Sequence, residues 1–131
     1  MRKHSKTENG QLQMKADRLL QQVFTKLFTH CEMCGQPVSC AHHFIEKSKS
    51  NILRYDFRNL VPVCQSCHTK FHNKFGFSKG TYDIIDALIR KRGKKWLNYI
   101  EKTRHKIIKT DKIWYNAIIN SLEKEINEKT I

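Results

Sequence analysis

Apolar residues recur every three or four positions near the start of the chain, as they do along one side of an amphipathic helix. The positions that follow this spacing are Leu12, Ala16, Leu19, Leu20, Val23, Phe24, Leu27 and Phe28. They predict a helix of about 18 residues whose apolar side packs against the rest of the protein. Residues 1–10, before this helix, are expected to form a basic arm.

Two segments in the middle of the chain predict strands rather than helices. Residues 38–45 and 54–63 contain aromatic and β-branched side chains, and the polar residues 46–51 lie between them. We expect the two segments to pair as a short β-hairpin. Because Pro62 has no backbone N–H to donate, it places the end of the second strand at an edge or an exit of the sheet.

Helical patterns dominate the rest of the chain. A short helix is predicted from Cys67 to about Lys74, and Gly76 and Gly80 interrupt the pattern after it. Asp111 is the expected N-cap of the last helix. The three further helices that apolar periodicity predicts cover residues 82–92, 94–109 and 112 onwards. We expect the aromatic residues of these helices to lie in the core, with base-stacking platforms as the alternative; they are Trp96, Trp114 and Tyr115.

The chain length and the order of the predicted elements limit the possible fold classes. The chain has 131 residues, of which 39% are hydrophobic, enough for one domain with a modest core. We expect an α+β fold that is mostly helical, with residues 11–76 around the hairpin and residues 77–131 as a helical tail packed on or beside them. No apolar run approaches the roughly 18 residues of a membrane span, and no secretory signal follows the basic start. We therefore expect a cytoplasmic protein.

Basic residues exceed acidic residues by a wide margin. Lys and Arg number 25 and Asp and Glu number 12, which gives a formal net charge of +13. Such a charge on a small chain points to a polyanionic partner, either a nucleic acid or an anionic membrane surface, and it favours the nucleic acid. A basic protein without such a partner is the alternative.

Four of the five cysteines form two Cys-x-x-Cys pairs, with 29 residues between the pairs. Cys31/Cys34 and Cys64/Cys67 can together supply four thiolates to one tetrahedral structural zinc ion. Disulfides are the alternative, but a reducing cytosol disfavours them. The fifth cysteine, Cys40, is expected to be a small buried or half-buried residue, and a regulatory thiol is the alternative.

Four of the seven histidines lie within or beside this loop, together with Asn59. His68 and His72 are four residues apart, so on a helix their imidazoles share one side, about 5–6 Å apart at Cβ, and can share a metal. His42 and His43 are neighbours, so in a strand they point to opposite faces. One of them can then face a metal and the other a substrate.

These residue types suit metal-assisted hydrolysis of a phosphodiester. A metal bound by His42 and the two helix histidines would stabilise the scissile phosphate and the leaving oxygen. His43, with an unperturbed pKa near 6.5, would take a proton from water. Asn59 would hold the hairpin and the base in position, because an amide donates and accepts together. Solvated histidines and an ordinary turn asparagine are the alternatives for each residue taken alone.

Several short motifs together resemble the zinc-stapled HNH endonucleases. They are Cys31-x2-Cys34, Ala41-His42-His43-Phe44, Arg58-Asn59-Leu60 and Cys64-x2-Cys67-His68-x3-His72, in this order over residues 29–74. The resemblance implies a ββα-metal fold in which His42 and His68 bind the catalytic metal, His43 is the general base and Asn59 orients the hairpin. His72 matches the additional helix ligand of the colicin-type nucleases. The products implied carry a 5′-phosphate and a 3′-hydroxyl.

A further run, from Leu53 to Leu60 between a preceding amphipathic helix and a helical tail, resembles the NinG/Rap phage recombination proteins. Those proteins act on branched recombination intermediates. The resemblance implies branched or duplex DNA as the substrate, a bacterial or phage-infected host cell, and recombination or packaging proteins as candidate partners. A homodimer is a candidate assembly.

Lysines and arginines near the predicted site are candidates for phosphate contact. Five of the six residues from Arg90 to Lys95 are positively charged, namely Arg90, Lys91, Arg92, Lys94 and Lys95. Lys47 and Lys49 lie in the hairpin loop, and Lys70 and Lys74 lie on the short helix. Such groups position a duplex without reading its bases. For the run at residues 90–95, a solvated helix junction is the alternative.

We therefore expect a DNA endonuclease with a structural zinc ion and a catalytic divalent metal. Mg²⁺ or Mn²⁺ is the expected working metal, and Zn²⁺ or Ni²⁺ are alternatives in a histidine-rich site. The alternative function is a non-catalytic zinc-stapled DNA-binding module, such as a packaging or recombination accessory. Among nucleases, restriction-type, homing-type and packaging-associated enzymes stay open.

Overall fold

The described chain is mostly helical and contains one small sheet. The computed structural model describes residues 7–72 and 78–130, with side chains over residues 7–72 and 84–128. In chain order the elements are α1 (Glu8–Leu27), β1 (Cys40–His43), a 3₁₀ helix (Phe57–Asn59), β2 (Leu60–Val63), α2 (Gln65–His72), α3 (Ser78–Arg92), α4 (Lys94–Thr103) and α5 (Lys112–Thr130). This order confirms the predicted α+β fold.

The first helix packs against the last one. Thr7 is the N-cap of α1, and its hydroxyl accepts a hydrogen bond from the backbone N–H of Gly10 at 2.9 Å, which satisfies an otherwise unpaired donor of the first turn. The helix thus includes the last three residues of the expected arm. Its predicted apolar side meets α5 in one core cluster, whose buried helical residues are Ala16, Leu19, Leu20, Val23, Phe24, Tyr115, Ile119 and Leu122.

The two strands form an antiparallel pair that is shorter than predicted. Cys40 lies opposite Val63, and His43 lies opposite Leu60. The segments expected to be strands extend well beyond these limits, and the residues before β2 instead form turns and the 3₁₀ helix. The local cause is Asp56, whose carboxylate accepts from the N–H of Arg58 at 2.9 Å. Such side-chain bonds compete with a strand ladder for the backbone donors.

The boundaries of α2, α3 and α4 differ from the predicted ones. α2 begins at Gln65, two residues earlier than expected, and the predicted end near Lys74 lies outside the described residues. α3 begins at Ser78 and contains Gly80, so the prediction that Gly80 interrupts the helix is wrong. Gly76 lies outside the described residues.

α4 ends at Thr103, six residues before the predicted boundary. Ile107 continues the apolar spacing of α4 but is 91% exposed, so it has no apolar surface to pack on. The carbonyl of Ile108 accepts a hydrogen bond from the Asn51 side chain at 2.9 Å instead of completing a helical turn. Asp111 caps α5 as predicted, because its carboxylate accepts from the N–H of Trp114 at 3.0 Å.

The tail helices share a core with the hairpin. Ile84 and Leu88 of α3 pack in one cluster with Val61 and Val63 of β2 and with Phe71 of α2. The predicted core aromatics are also confirmed, since one of them is buried and the other two pack against core clusters; they are Tyr115, Trp96 and Trp114.

Membrane insertion has no support in the helices that the structure describes. None of them is both long and apolar enough to cross a membrane.

Candidate metal centre and active site

The two Cys-x-x-Cys pairs converge on one point. Cys31 and Cys34 lie in the loop between α1 and β1, and Cys64 and Cys67 lie at the start of α2. All four Sγ atoms lie within 4.8 Å of one another, and every cysteine of the chain is a free thiol. Four thiolates around tetrahedral zinc at about 2.3 Å would be roughly 3.8 Å apart, close to the 3.5 Å between the sulfurs of Cys34 and Cys64. The cluster fits a structural zinc ion, not two disulfides.

The backbone around this cluster favours a thiolate at Cys31. Burial alone would raise the pKa of this thiol, but hydrogen bonds from the backbone of Cys64, Cys34 and Met33 lower it to about 7. Burial raises the pKa of the Cys67 thiol, as expected where thiols crowd together without a compensating cation. Zinc binds the deprotonated form, so Cys31 is the thiol best prepared for the metal.

A second cluster consists of three imidazoles. β1 supplies His42, and α2 supplies His68 and His72; their ligand atoms all lie within 4.8 Å of one another. The Nε2 atoms of His68 and His72 are 2.9 Å apart. His42 is buried and stacks on the ring of Phe71, with the ring centroids 4.7 Å apart. The packing of α2 on β1 therefore brings three histidines to a point where they could hold one metal ion.

His68 is oriented by a contact on its other ring nitrogen. Nδ1 of His68 lies 3.4 Å from the Sγ atom of Cys40, and Nε2 faces His72. Cys40 is half-buried, as predicted. Burial and the nearby His72 lower the pKa of His68, which favours the neutral imidazole that a metal requires.

His43 is anchored on a backbone carbonyl. Its Nε2 atom donates a hydrogen bond to the carbonyl oxygen of Arg54 at 2.9 Å. Because Nε2 carries the proton, Nδ1 of the neutral ring keeps a free lone pair. Burial lowers the pKa of His43 from its ordinary value near 6.5 to about 4. The imidazole is neutral at pH 7, the state that a general base needs.

Asn59 ties together the two ends of the loop between the strands. It is fully buried. Its Oδ1 atom accepts from the N–H of Ile45 at 2.8 Å, and its Nδ2 atom donates to the carbonyls of Ile45 at 3.0 Å and Leu53 at 3.3 Å. Its own carbonyl accepts from the N–H of Phe44 at 2.8 Å. The side chain therefore sets the course of the backbone on both sides of the loop that carries Arg54.

The imidazole cluster and His43 line the same cleft, which has a volume of about 350 Å³. Lys47 and Gln21 also line it. An adjoining pocket is lined by Arg104 and Glu101 together with His43 and two histidines of the imidazole cluster. Each of the two pockets is therefore lined by one basic side chain, Lys47 or Arg104, and both are also lined by Glu46.

Comparison with known proteins agrees with this geometry. Residues 31–74, which contain both clusters, match the family model of the HNH endonuclease. This segment is an HNH endonuclease domain. The mitochondrial DNA mismatch repair protein mutS homolog of Sarcophyton glaucum is 46% identical over 46 residues, which cover 32% of this chain and 5% of that protein. The chain thus spans a small part of the length of the relative it matches. No solved structure matches the chain.

The lysines of the HNH domain lie on its surface. Lys47 is exposed at the cleft. Lys49 is exposed and its ammonium group is 3.6 Å from the carboxylate of Glu46. Lys70 is exposed on α2. Lys74, the remaining predicted phosphate ligand of this domain, lies outside the described residues.

In the basic run at residues 90–95, the structure separates one largely buried arginine from four exposed residues. Arg92 donates to the carboxylate of Glu32 at 2.6 and 2.9 Å and to the carbonyl of Leu60 at 2.8 Å. Its guanidinium also lies over the ring of Trp96, 4.9 Å from the centroid. The side chain is only 17% exposed. Arg92 therefore fixes α3 to the HNH domain with little of its side chain open to solvent, and its contact with a DNA phosphate stays a prediction.

The other charges of this run stay near the surface. Lys91 donates to the backbone carbonyl of Glu32 at 2.6 Å. Arg90 pairs with Asp86 one helical turn earlier at 2.9 Å and is 80% exposed. Lys94 and Lys95 are exposed at the start of α4. These four side chains are exposed, unlike that of Arg92, and their contact with phosphate stays a prediction.

Two residues of α1 that contact the site were missed by sequence reasoning, which gave this helix a packing role only. Asp17 pairs with Arg54, and the side-chain amide of Gln21 pairs with the backbone of Ala41. The available signal was weak: two polar residues four positions apart border the apolar side of the predicted helix. Arg104 was also missed, because no pattern in the sequence relates it to the HNH domain.

Proposed function

We propose that the protein is a metal-dependent DNA endonuclease that hydrolyses phosphodiesters in the cleft between β1 and α2. The HNH domain indicates the nuclease and DNA-binding class. The observation that carries the proposal is a three-imidazole cluster that shares its cleft with His43, a histidine held as a neutral base.

His43 is the proposed general base. The carbonyl of Arg54 holds the proton on Nε2, so Nδ1 is the nitrogen that takes a proton from the attacking water. A neutral imidazole is present at pH 7, because burial keeps the pKa of His43 near 4. Asn59 acts as a positioning residue, since it fixes the loop that contains the Arg54 carbonyl.

His42, His68 and His72 would hold the catalytic metal. Three nitrogen ligands within 4.8 Å of one another fit a single ion. When bound, the ion supplies Lewis-acid stabilisation of the scissile phosphate and the leaving oxygen. Mg²⁺ or Mn²⁺ is the proposed working metal, and Zn²⁺ or Ni²⁺ are the alternatives that imidazole ligands favour.

Charge and resemblance support DNA as the substrate. The formal net charge is +13, and the exposed Lys47 lies at the cleft. The resemblance of residues 53–60 to the NinG/Rap recombination proteins extends the proposal to branched DNA. We also propose that residues 11–76 and 77–131 act as a single unit, since α3 shares a core with β2 and α5 shares a core with α1.

Cleavage assays with His43→Ala and His42→Ala test this proposal. His43→Ala should slow cleavage of linear and branched DNA by about 10²- to 10⁴-fold, the usual contribution of a positioned base, and no metal concentration should restore it. His42→Ala should weaken binding of the catalytic metal, so added Mn²⁺ or Mg²⁺ should restore part of the rate. Rates across a metal titration distinguish the two variants.

His105→Ala is the matched control, because His105 is exposed and outside the cleft, and it should cut like the wild type. If the wild-type protein binds DNA but cuts no substrate with any of the four metals, the non-catalytic DNA-binding module is the correct function. If His43→Ala cuts at the wild-type rate, the protein has a different base.

A further inference from the structure

We propose that α1, which lies outside the HNH domain, positions the general base through two side chains one turn apart, Asp17 and Gln21. This inference rests on the proposed function of His43. Gln21 holds the strand on which His43 stands, and Asp17 holds the residue whose carbonyl binds the His43 ring. We call these two residues the α1 pair.

The amide of Gln21 pairs with the backbone of β1. Its Oε1 atom accepts from the N–H of Ala41 at 2.8 Å, and its Nε2 atom donates to the carbonyl of Ala41 at 3.1 Å. Ala41 lies opposite Pro62, whose carbonyl accepts from the N–H of Glu32 at the other edge of the sheet, so the N–H and carbonyl of Ala41 point away from β2, toward α1. The side chain therefore makes the two bonds that a residue of a neighbouring strand would make. It fixes the backbone directly before His42 and His43.

Asp17 binds Arg54, the residue whose carbonyl contacts the His43 ring. Its carboxylate accepts two hydrogen bonds from the guanidinium of Arg54, at 2.7 and 3.1 Å, and a third from the hydroxyl of Tyr55 at 2.8 Å. The side chains of Arg54 and Asp17 are 16% and 29% exposed, so this bidentate pair is largely shielded from water. Such charge-assisted pairs are strong and directional. The backbone carbonyl of the same Arg54 receives Nε2 of His43.

The two restraints act on one imidazole. Residues four apart lie on the same side of a helix, so α1 presents both side chains to the hairpin together. Gln21 fixes the backbone from which the His43 side chain extends. Asp17 fixes the residue whose carbonyl accepts the hydrogen bond from the His43 ring. A helix is a rigid support, and a displacement of about 1 Å in a catalytic group can cost a hundredfold in rate.

A purely structural role predicts a different result, and α1 offers a matched control for it. Gln13 lies two turns before Gln21 and is also half-buried, but its amide donates to the hydroxyl of Tyr115 in α5 at 3.1 Å. Gln13→Met thus removes a helix-docking bond away from the cleft, whereas Gln21→Met removes the bonds to Ala41. Glu8, which pairs with Lys112 at 2.9 Å, gives the corresponding control for Asp17.

The experiment compares Gln21→Met and Asp17→Asn with Gln13→Met and Glu8→Gln. Single-turnover cleavage and DNA affinity are measured at saturating metal, at a temperature where every variant is folded. The α1-pair variants should lose about 10- to 100-fold in cleavage rate with DNA affinity changed by less than about twofold. The controls should cut like the wild type. ¹⁵N NMR of the imidazoles should show the Nε2–H tautomer of His43 in the wild type and the controls and a mixture in the α1-pair variants.

Gln21→Ala provides a second variant if Gln21→Met does not fold. The shorter side chain removes both bonds to Ala41 and leaves room for water to reach the Ala41 N–H and carbonyl, so the loss in rate should have the same direction. The inference is overturned if the α1-pair variants cut as fast as the controls, or if His43 keeps its tautomer in all of them. A wild-type protein that cuts no DNA would contradict the proposed function, and the tautomer would still test the positioning of His43.

Discussion

Two neighbouring histidines acquire different chemistry from the atoms around them. His42 and His43 follow each other in β1, so their side chains leave opposite faces of the strand. His42 stacks on Phe71 and faces the two histidines of α2, whereas His43 donates to the Arg54 carbonyl. At this scale, hydrogen bonds and packing, not residue type, distinguish the proposed metal ligand from the proposed base.

Cys40 gives a test at the scale of one residue. For His68 to bind a metal through Nε2, its Nδ1 must carry the proton and donate it to the Cys40 sulfur. Partners of this kind orient a ligating imidazole and are worth 10- to 100-fold in metal affinity. Cys40→Ala should therefore weaken binding of the catalytic metal by about tenfold, as measured by calorimetric titration with Mn²⁺.

Ser39→Ala is the control for Cys40→Ala, because Ser39 is the exposed preceding residue. Cys40→Ser retains an acceptor and should keep more of the affinity than Cys40→Ala. Equal affinities in all three variants would mean that the sulfur does not orient His68.

Single elements show how the helical tail supports the HNH domain. Trp96 of α4 donates to the carbonyl of Arg58 at 2.7 Å, and the hydroxyl of Tyr99 donates to Asp56. The guanidinium of Arg58 lies over the Tyr99 ring, 3.7 Å from its centroid. These contacts hold the 3₁₀ helix that ends at Asn59. The tail therefore stabilises the segment that sets the course of the active-site loop.

Arg92 tests this support. Arg92→Gln should lower the free energy of unfolding by about 3 kcal/mol, because it leaves the carboxylate of Glu32 and the carbonyl of Leu60 without their donors in a poorly solvated place. Urea denaturation measures the change. The salt dependence of DNA binding should stay the same, since this guanidinium is turned into the protein.

Lys95→Gln is the matched control for Arg92→Gln, because Lys95 is exposed in the same run. It should leave the urea midpoint unchanged and reduce the slope of log K against log salt by about 0.9, the value for one phosphate contact. If Arg92→Gln is as stable as the wild type and reduces the salt slope, the prediction is wrong and Arg92 contacts DNA.

At the scale of the whole molecule, the four-cysteine cluster lies beside a core that is continuous with the strands. The four-cysteine cluster joins the loop after α1 to the start of α2, and Cys31, Cys64 and Cys67 belong to the core cluster that contains Leu88 of α3. Leu60 of β2 belongs to the other cluster, formed with α1 and α5. Because β2 contributes residues to both clusters, loss of the cysteine site should destabilise the whole fold and not only the segment around the cysteines.

Removal of zinc is the corresponding prediction. Structural zinc contributes about 10–16 kcal/mol in small zinc domains, comparable to the whole stability of about 5–15 kcal/mol of a typical domain. A strong chelator, or Cys64→Ser, should therefore abolish cooperative thermal unfolding, measured by circular dichroism. Metal analysis should find one tightly bound zinc per chain after the catalytic metal is removed.

Cys40→Ser is the control for Cys64→Ser, because Cys40 lies outside the four-cysteine cluster, and it should keep the zinc and the fold. A folded protein with no zinc and two disulfides would contradict the prediction.

Features that depend on nearby residues were predictable from the sequence. The apolar spacing of α1, the Asp111 cap and the Cys-x-x-Cys spacing each reflect interactions within about one turn or one loop, and the structure confirms them. The pairing of His68 with His72 follows from the geometry of a helix. The roles of His43 and Asn59 stay predictions that the proposed experiments test.

The tertiary structure alone decided the features that join distant parts of the chain. Arg92 carries the same charge as its neighbours in sequence, and only the docking of α3 places it against Glu32, 60 residues away. Asp17 and Gln21 look like ordinary polar positions of an amphipathic helix until α1 lies beside β1 and the loop after it. Periodicity reports which side of an element is apolar, not which backbone atoms that side will meet. The support of the proposed active site is therefore a property of how the helices pack, and not of the HNH motif itself.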